Sequence, residues 1–179
     1  MVSKSKILGQ SALIFVTVGT TSFPFDRLLK ALDKILLEID CKAKLVVQSG
    51  KSRYVFKYSK VKRFEYLNPT QLRTYLRRAN AIITHAGFGT LFMIAQHSTI
   101  KPFVIPRLKK YNEHVDNHQL FFINYNNRSK KLNNIEDNIN QQLLNYLTYQ
   151  NRSTNFCLRI FKLNPNQISL KIHDYIENM

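Results

Sequence analysis

Residues 13–19 read Leu-Ile-Phe-Val-Thr-Val-Gly, and this run decides the fold class. It is short, rich in β-branched residues and apolar on both faces, which is typical of a central parallel strand covered by helices above and below. The apolar run is too short for a signal peptide and leads directly into Gly19. A helical pattern follows, in which apolar residues recur at steps of three and four from Phe25 to Ile39, with Pro24 expected in its first turn.

The same alternation of strand and helix continues along the chain. Further strands are predicted at Leu45–Val47, Phe64–Leu67, Ala81–Thr84 and Phe103–Ile105, with helices over Gln71–Ala79 and Leu91–Gln96. This order predicts an α/β fold, a Rossmann-like parallel sheet with helices on both faces. A ligand site is then expected where the strands end, in the loops at the carboxyl edge of the sheet.

The 179 residues suit one domain and are too few for two full Rossmann-like domains. We expect its core within residues 12–125. Residues 126–179 are rich in asparagine and form a helical extension, with surface helices predicted at Asn138–Tyr149 and Ile168–Ile176.

Charge and cysteine content limit the function classes. Lys and Arg number 27 against 11 acidic residues, a net charge of +16, which predicts an anionic substrate or partner such as phosphate, nucleic acid or an acidic membrane surface. Cys41 and Cys157 form neither a disulfide framework nor a zinc pattern, so a reducing cytoplasm is expected. No stretch reaches the roughly 18 apolar residues of a membrane span, so any membrane association is expected to be peripheral or through a partner.

Two glycine-containing turns are candidate anion sites. Gly19 and Thr20 lie between a strand and a helix, where backbone N–H groups can face an anion, although a tight turn alone also explains a glycine there. The second turn lets the chain approach a ligand closely and offers Thr90 as a helix cap; it comprises His85, Ala86, Gly87, Phe88, Gly89 and Thr90. It lacks the lysine of a P-loop and the third glycine of a dinucleotide fingerprint. The alternative for His85 is a buried histidine bonded to backbone.

A third candidate region follows the last strand. Arg107 and the nearby lysines suit a phosphate, and Asp116, Asn117 and Gln119 offer donors and acceptors suited to sugar hydroxyls. A competing interpretation makes His114 and His118, with Glu113 or Asp116, ligands of a metal. The absence of a second ligand cluster in the sequence favours a site without metal.

Taken together, three segments resemble the carboxyl-terminal domain of family 28 glycosyltransferases. They are Ile14–Thr20 with Pro24–Leu28, then His85–Thr90, then Pro106–Arg107 with Glu113–Gln119. The sequence is most similar to the stand-alone catalytic subunits of bacterial capsule and exopolysaccharide β-1,4-galactosyltransferases, and it also resembles the catalytic subunit of the dolichol-linked N-acetylglucosaminyltransferase. The resemblance covers about residues 13–125.

The resemblance implies half of a GT-B enzyme, which binds a UDP-sugar beside a membrane-anchored subunit that presents a polyprenyl-diphosphate-linked acceptor. It implies that Gly87, Gly89 and Thr90 cradle the diphosphate, with His85 and Phe88 in the same loop. Gly19 and Thr20 would line the cleft between domains, and Asp116, Asn117 and Gln119 would hold the sugar. Transfer would be inverting and independent of metal or other cofactor, adding a hexose, expected to be galactose, at the inner face of the membrane.

Two points separate this sequence from that pattern. Many relatives carry a glutamate that binds the ribose hydroxyls where this chain has Met93. Glu113 and His114 are the candidate catalytic residues, although in two-domain relatives the base is thought to lie in the other half.

Other functions remain open at the level of sequence. N-acetylglucosamine is the alternative donor sugar, and an inactive scaffold subunit is a further possibility because of Met93. A nucleic-acid-binding domain is suggested by the stretch from Lys51 to Arg78, which holds nine basic residues and one acidic residue, interleaved with Tyr54, Phe56, Tyr58 and Phe64. That function leaves the glycine loop and the Glu113–Gln119 segment unexplained, so no nucleic acid is expected as a partner. The basic residues are also compatible with an ordinary solvated face.

Overall fold

The computed structural model describes residues 8, 11–126 and 139–149. Five strands form one sheet in the order β3-β2-β1-β4-β5, and every neighbouring pair is parallel. The strands are β1 (Leu13–Thr17), β2 (Lys44–Gln48), β3 (Val61–Phe64), β4 (Ala81–His85) and β5 (Phe103–Ile105). The predicted parallel Rossmann-like sheet is confirmed, with β1 at its centre.

Helices cover both faces of this sheet, as predicted. They are α1 (Asp26–Glu38), α2 (Pro69–Arg78), α3 (Phe88–His97), α4 (His118–Asn126) and α5 (Ile139–Tyr149), with a single 3-10 turn at Lys109–Tyr111. Residues of α1 and α5 pack with Ile14, Val16 and Val47 on one face. On the other face, residues of α2 and α3 pack with Phe15, Val46 and Ile82. The strands are therefore apolar on both sides because both sides are buried.

Local sequence explains where α2 begins, whereas α1 lacks a side-chain cap. Helix α2 has a capping box, in which the Asn68 side chain accepts from the Gln71 amide and Gln71 returns the bond to the Asn68 amide. Helix α1 begins at Asp26, so Pro24 precedes the helix and does not occupy its first turn as predicted. Burial of its apolar stripe stabilises α1, since its N-cap residue Phe25 makes no side-chain capping bond.

Two predicted boundaries are wrong. The third strand is Val61–Phe64 and not Phe64–Leu67, because it is an edge strand in which exposed Lys62 and Arg63 hide the apolar pattern. The predicted core also ends too early. Helix α5 contributes Leu143, Tyr146 and Leu147 to the main core, so this part of the expected extension is integral to the domain. The helix predicted at residues 168–176 lies outside the described residues.

Candidate functional site

The predicted site residues gather at the carboxyl edge of the sheet. The loops after β1, β4 and β5 meet there because parallel strands end on the same side. The loop after β2 joins them, since a Cβ placed on Gly50 would lie 2.9 Å from the carbonyl oxygen of Gly19. Sequence analysis did not single out Gly50, because a positive φ such as its value of 50° cannot be read from the sequence.

His85 fills the centre of this edge, between two glycines. It is the last residue of β4 and is 7% exposed. A Cβ on Gly19 would lie 2.6 Å from the imidazole, and a Cβ on Gly87 would lie 2.2 Å from its Nε2. Gly19 also has a φ of 83°. Both glycines are therefore required to make room for the imidazole ring, whatever further part their backbone plays.

Burial keeps the His85 imidazole neutral. Desolvation, together with the positive charge of Arg107, lowers the pKa of His85 to about 3. Its Nδ1 is buried and has no hydrogen-bond partner among the described residues. The sequence left two interpretations of His85 open, a residue of the anion site and a buried histidine bonded to backbone. The structure agrees with burial, but the ring packs against Gly19 and Gly87.

Helix α3 begins directly after Gly87, whose extended backbone forms the N-cap. Phe88, Gly89 and Thr90 are therefore the first three helical residues, and the predicted cap at Thr90 is wrong. The first amide groups of a helix and its dipole favour an anion at this end. A Cβ on Gly89 would meet nothing within 4 Å, so the first turn faces open space at this residue. Phe88 instead packs edge-on against Phe122, with ring centroids 4.4 Å apart.

Arg107 and Gln119, both predicted to contact substrate, are buried and bonded to backbone groups of the site loops. Arg107 is 1% exposed, and its guanidinium donates to the carbonyl oxygens of Val18, Phe23, Pro24 and Glu113. Burial lowers its pKa to about 10, so it stays charged at neutral pH. The side-chain oxygen of Gln119 accepts from the amides of Ala86, at 3.2 Å, and Arg107, at 3.0 Å. Both side chains hold the loops of the site in place.

Glu113, predicted as a catalytic residue, is also buried and bonded within the domain. It is 3% exposed and accepts from the amide of Leu108 at 3.0 Å. The Arg27 guanidinium donates to both of its carboxylate oxygens, at 2.8 Å each. Sequence analysis did not identify Arg27 as part of the site, because the two partners are far apart in the chain and nothing local pairs them.

His114, Asp116 and His118 form a cluster on the surface of this edge. Asp116 Oδ1 lies 2.5 Å from His118 Nδ1 and accepts from the His118 amide at 3.1 Å. His114 Nδ1 lies 3.2 Å from the same oxygen without the alignment of a hydrogen bond. The bond from His118 lowers the pKa of Asp116, and burial, with His118 beside it, lowers the pKa of His114. Asp116 remains 56% exposed.

These three residues are the group that best matches the metal site considered from sequence. Their potential ligand atoms lie within 4.8 Å of one another. Glu113 takes no part, because Arg27 and Leu108 already bind its carboxylate. Asn117 lies beside the cluster, where its side-chain oxygen accepts from the Lys109 amide at 2.9 Å and its carbonyl oxygen accepts from the first amides of α4.

The aromatic residues of the basic stretch are not arranged to stack on nucleic-acid bases. Tyr58 is buried, and its hydroxyl donates to the carbonyl oxygen of Ala43. The Tyr54 hydroxyl donates to the Asp33 carboxylate at 2.7 Å. Phe56 packs against the core on the α1 and α5 side of the sheet, and Phe64 packs against the core on the α2 and α3 side. These contacts remove the aromatic part of the pattern that suggested a nucleic-acid-binding domain, while most basic residues of the stretch remain exposed.

Comparison with protein families identifies the chain. The model of the glycosyltransferase family 28 C-terminal domain matches residues 13–172. The chain belongs to this family. Its sheet and helices are those of the C-terminal, Rossmann-like half of a GT-B glycosyltransferase, as predicted. A comparison with curated proteins finds no match.

Solved glycosyltransferases resemble this family 28 domain in fold. SnogD from Streptomyces nogalater aligns with a TM-score of 0.50 and 18% identity, over 92% of this chain and 44% of SnogD. The calicheamicin glycosyltransferase CalG4 aligns with a TM-score of 0.48 and 9% identity, over 94% of this chain and 44% of CalG4. The chain therefore spans less than half the length of these structures.

Met93, at the position where the resemblance led us to expect a ribose-binding glutamate, lies on α3 and packs against the core between the sheet and α2 and α3. A thioether offers at most a weak acceptor to the ribose hydroxyls. Any ribose contact in this family 28 domain must come from other residues or from backbone.

Proposed function

We propose that this domain is the donor-binding, catalytic half of an inverting UDP-sugar glycosyltransferase. The observation that carries the proposal is the open first turn of α3 at Gly89, at the carboxyl edge of a family 28 domain. The expected reaction adds a hexose, galactose by the resemblance of the sequence, to a polyprenyl-diphosphate-linked sugar in capsular or extracellular polysaccharide synthesis. N-acetylglucosamine is the alternative donor sugar.

The diphosphate of the donor is expected at the start of α3. Helix amides and the helix dipole stabilise an anion there, and this stabilisation grows as negative charge develops on the departing UDP. Lys109 and Lys110 extend the positive charge of the edge, since both are exposed on the turn after β5. They replace Arg107 in the predicted phosphate contact, because its guanidinium is turned inward.

Asp116 and Asn117 are the remaining candidates for contact with the sugar. The exposed Asp116 carboxylate accepts hydrogen bonds from hydroxyl groups, which suits a hexose. Inversion requires that the acceptor hydroxyl loses its proton as it attacks the anomeric carbon in line with the departing UDP. His114 keeps a partly exposed side chain with a lowered pKa and is the candidate base within this half. The other candidate for the base is a residue of the acceptor-binding half of the enzyme.

The acceptor-binding half of the enzyme is proposed to be a membrane-anchored subunit that binds the lipid-linked acceptor. Three apolar side chains at or near the carboxyl edge support a covering partner, because Tyr66, Tyr111 and Val115 are 42%, 44% and 60% exposed. Among the described residues, no helix is long and apolar enough to cross a membrane. Association with the cytoplasmic face of the membrane would come through that subunit, and the charge of +16 would favour the acidic lipid surface.

Calorimetric titration with UDP, UDP-galactose, UDP-N-acetylglucosamine and GDP tests the donor site. We expect uridine nucleotides to bind, and the preferred sugar to distinguish galactose from N-acetylglucosamine transfer. Gly89→Asp should abolish binding, because it places a carboxylate where the diphosphate is expected. Gly89→Ala is the matched control, since its Cβ has space. Equal binding by wild type and Gly89→Asp would contradict the assignment of α3.

Copurification tests the partner. Val115→Asp at the carboxyl edge should weaken the complex with the membrane subunit. Leu37→Asp is the control, because Leu37 is 48% exposed on the last turn of α1. Loss of the complex in both variants, or in neither, would argue against the carboxyl edge as the interface.

A further inference from the structure

A second cavity opens at the amino edge of the sheet, opposite the proposed donor site. Its volume is about 700 Å³, and it is lined where β1, β2 and β3 begin and α2 ends. Leu13, Leu45 and Val61 form part of its wall, and Tyr75 of α2 lies beside them. The Tyr75 ring is held by stacking on Phe15, with centroids 5.6 Å apart. The floor of the cavity therefore rests on rigid elements of the sheet and its covering helix.

Four cationic side chains line this cavity, namely Lys44, Lys60, Lys62 and Arg78. Among the described lining residues there is no carboxylate, and none of the four forms an ion pair with another described residue. Lys60 Nζ donates to a backbone carbonyl oxygen at 3.2 Å, and Lys62 Nζ lies 5.1 Å from the centre of the Phe64 ring. Like charges gathered in this way repel one another unless an anion neutralises them.

The uncharged groups in the cavity are also suited to phosphate oxygens. Ser11 and Ser59 line it, and their hydroxyl groups donate hydrogen bonds, as the four cations do. The volume is within the usual range for small-molecule sites and accommodates more than one phosphate group. Multiple ammonium groups around one concave space favour a multiply charged anion over a single carboxylate.

We propose that this cavity, lined by Lys44, Lys60, Lys62 and Arg78, is a second anion site that binds a di- or triphosphate group. It is separate from the donor site because it lies at the opposite edge of the sheet. The phosphate could belong to a soluble polyphosphate compound or to a phospholipid headgroup, and the chemistry of recognition is the same. This inference does not depend on the proposed sugar transfer.

Arg77 and Arg78 provide a matched pair of variants. Both are exposed in the last turn of α2, but only Arg78 lines the cavity. In calorimetric titration with sodium tripolyphosphate, we expect Arg78→Glu to weaken binding by about tenfold or more, and Arg77→Glu by about twofold or less. An equal loss in both variants, or no binding by the wild type, would overturn the proposal.

Two further measurements keep the result interpretable. Unchanged urea unfolding and unchanged UDP binding by Arg78→Glu would show that the fold and the donor site are intact. Sedimentation with phosphatidylcholine vesicles, with and without cardiolipin, whose headgroup carries two phosphates, distinguishes the two sources. Binding to the anionic vesicles that Arg78→Glu removes would identify a lipid headgroup. Tripolyphosphate binding that depends on Arg78, without such vesicle binding, would identify a soluble anion.

Discussion

At the scale of single residues, His85 links stability to pH. Burial lowers its pKa to about 3, from the ordinary histidine value of 6.5. Below pH 6.5 the unfolded chain therefore binds a proton at His85, whereas His85 of the folded chain stays neutral until the pH approaches 3. Stability falls as the pH drops from about 6 towards 3, and His85 contributes up to about 1.4 kcal/mol per pH unit to that slope.

Urea unfolding at several pH values measures this contribution. His85→Asn should lose the His85 share of the slope, even if its absolute stability is lower. His97→Asn is the control and should keep the slope of the wild type. A slope that is unchanged in His85→Asn would show that the imidazole is protonated as readily in the folded state as in the unfolded state.

Glu113 is expected to stabilise the site and not to act on substrate. Glu113→Gln removes the charge that pairs with Arg27 at 2.8 Å and should lower the free energy of unfolding by about 2 kcal/mol, because both partners are largely buried. Glu38→Gln is the comparison, since its exposed pair with Lys34 spans 3.7 Å and should contribute less than about 0.5 kcal/mol. Unfolding in urea gives both values.

The reverse pattern would restore the catalytic assignment of Glu113. Such a result would be full stability in Glu113→Gln together with loss of sugar transfer in the complex. Sequence spacing placed Glu113, Arg107 and Gln119 at the correct edge of the sheet, but it carries no information on which way a side chain turns. Their roles depend on distant partners such as Val18 and Arg27, which come together only in the folded chain.

At the scale of elements, the Tyr146 hydroxyl adds hydrogen bonds between α5 and the sheet to the apolar contacts of Leu143 and Leu147. Tyr146 Oη accepts from the Ile82 amide at 3.0 Å, and it lies within hydrogen-bond distance of the carbonyl oxygens of Ile82, at 3.1 Å, and Lys101, at 3.0 Å. Tyr146→Phe should destabilise the fold by about 1–3 kcal/mol, because it leaves buried backbone groups without a partner. Thermal and urea unfolding measure this change.

Gln141→Ala is the control on the same helix. Its side chain is exposed and bonds only to Asn145 among the described residues, so stability should change by less than about 0.5 kcal/mol. Equal stability of Tyr146→Phe and wild type would mean that apolar contacts alone hold α5 in place. The spacing of Leu143, Leu144 and Leu147 predicted this helix, but periodicity alone did not show that its apolar face joins the main core.

At the scale of the whole molecule, the parallel sheet was predictable from sequence because its central strands are apolar on both faces, whereas the order of the strands was not predicted. The edge strand β3 was misplaced because its charges face solvent on the basic side of the domain. That side, with Lys62 and Arg78, lies apart from the carboxyl edge. The sequence shows a net charge of +16 for the chain, whereas only the fold shows that Lys109 and Lys110 lie at one edge of the sheet and Lys62 and Arg78 at the other.

The fold is also expected to support transfer without a metal ion. Two ligand atoms bound to one tetrahedral zinc ion at about 2.1 Å lie about 3.4 Å apart. Asp116 Oδ1 and His118 Nδ1 are only 2.5 Å apart, which is the separation of a hydrogen-bonded pair.

We therefore expect EDTA to leave UDP binding by the isolated chain, and sugar transfer by its complex with the partner, unchanged. A different result would identify His114, Asp116 and His118 as metal ligands. In that case EDTA would abolish transfer, zinc would restore it, and Asp116→Asn would be inactive with or without zinc. Because the start of α3 already presents helix amides to the expected diphosphate, the charge that develops on UDP can be stabilised by the protein alone.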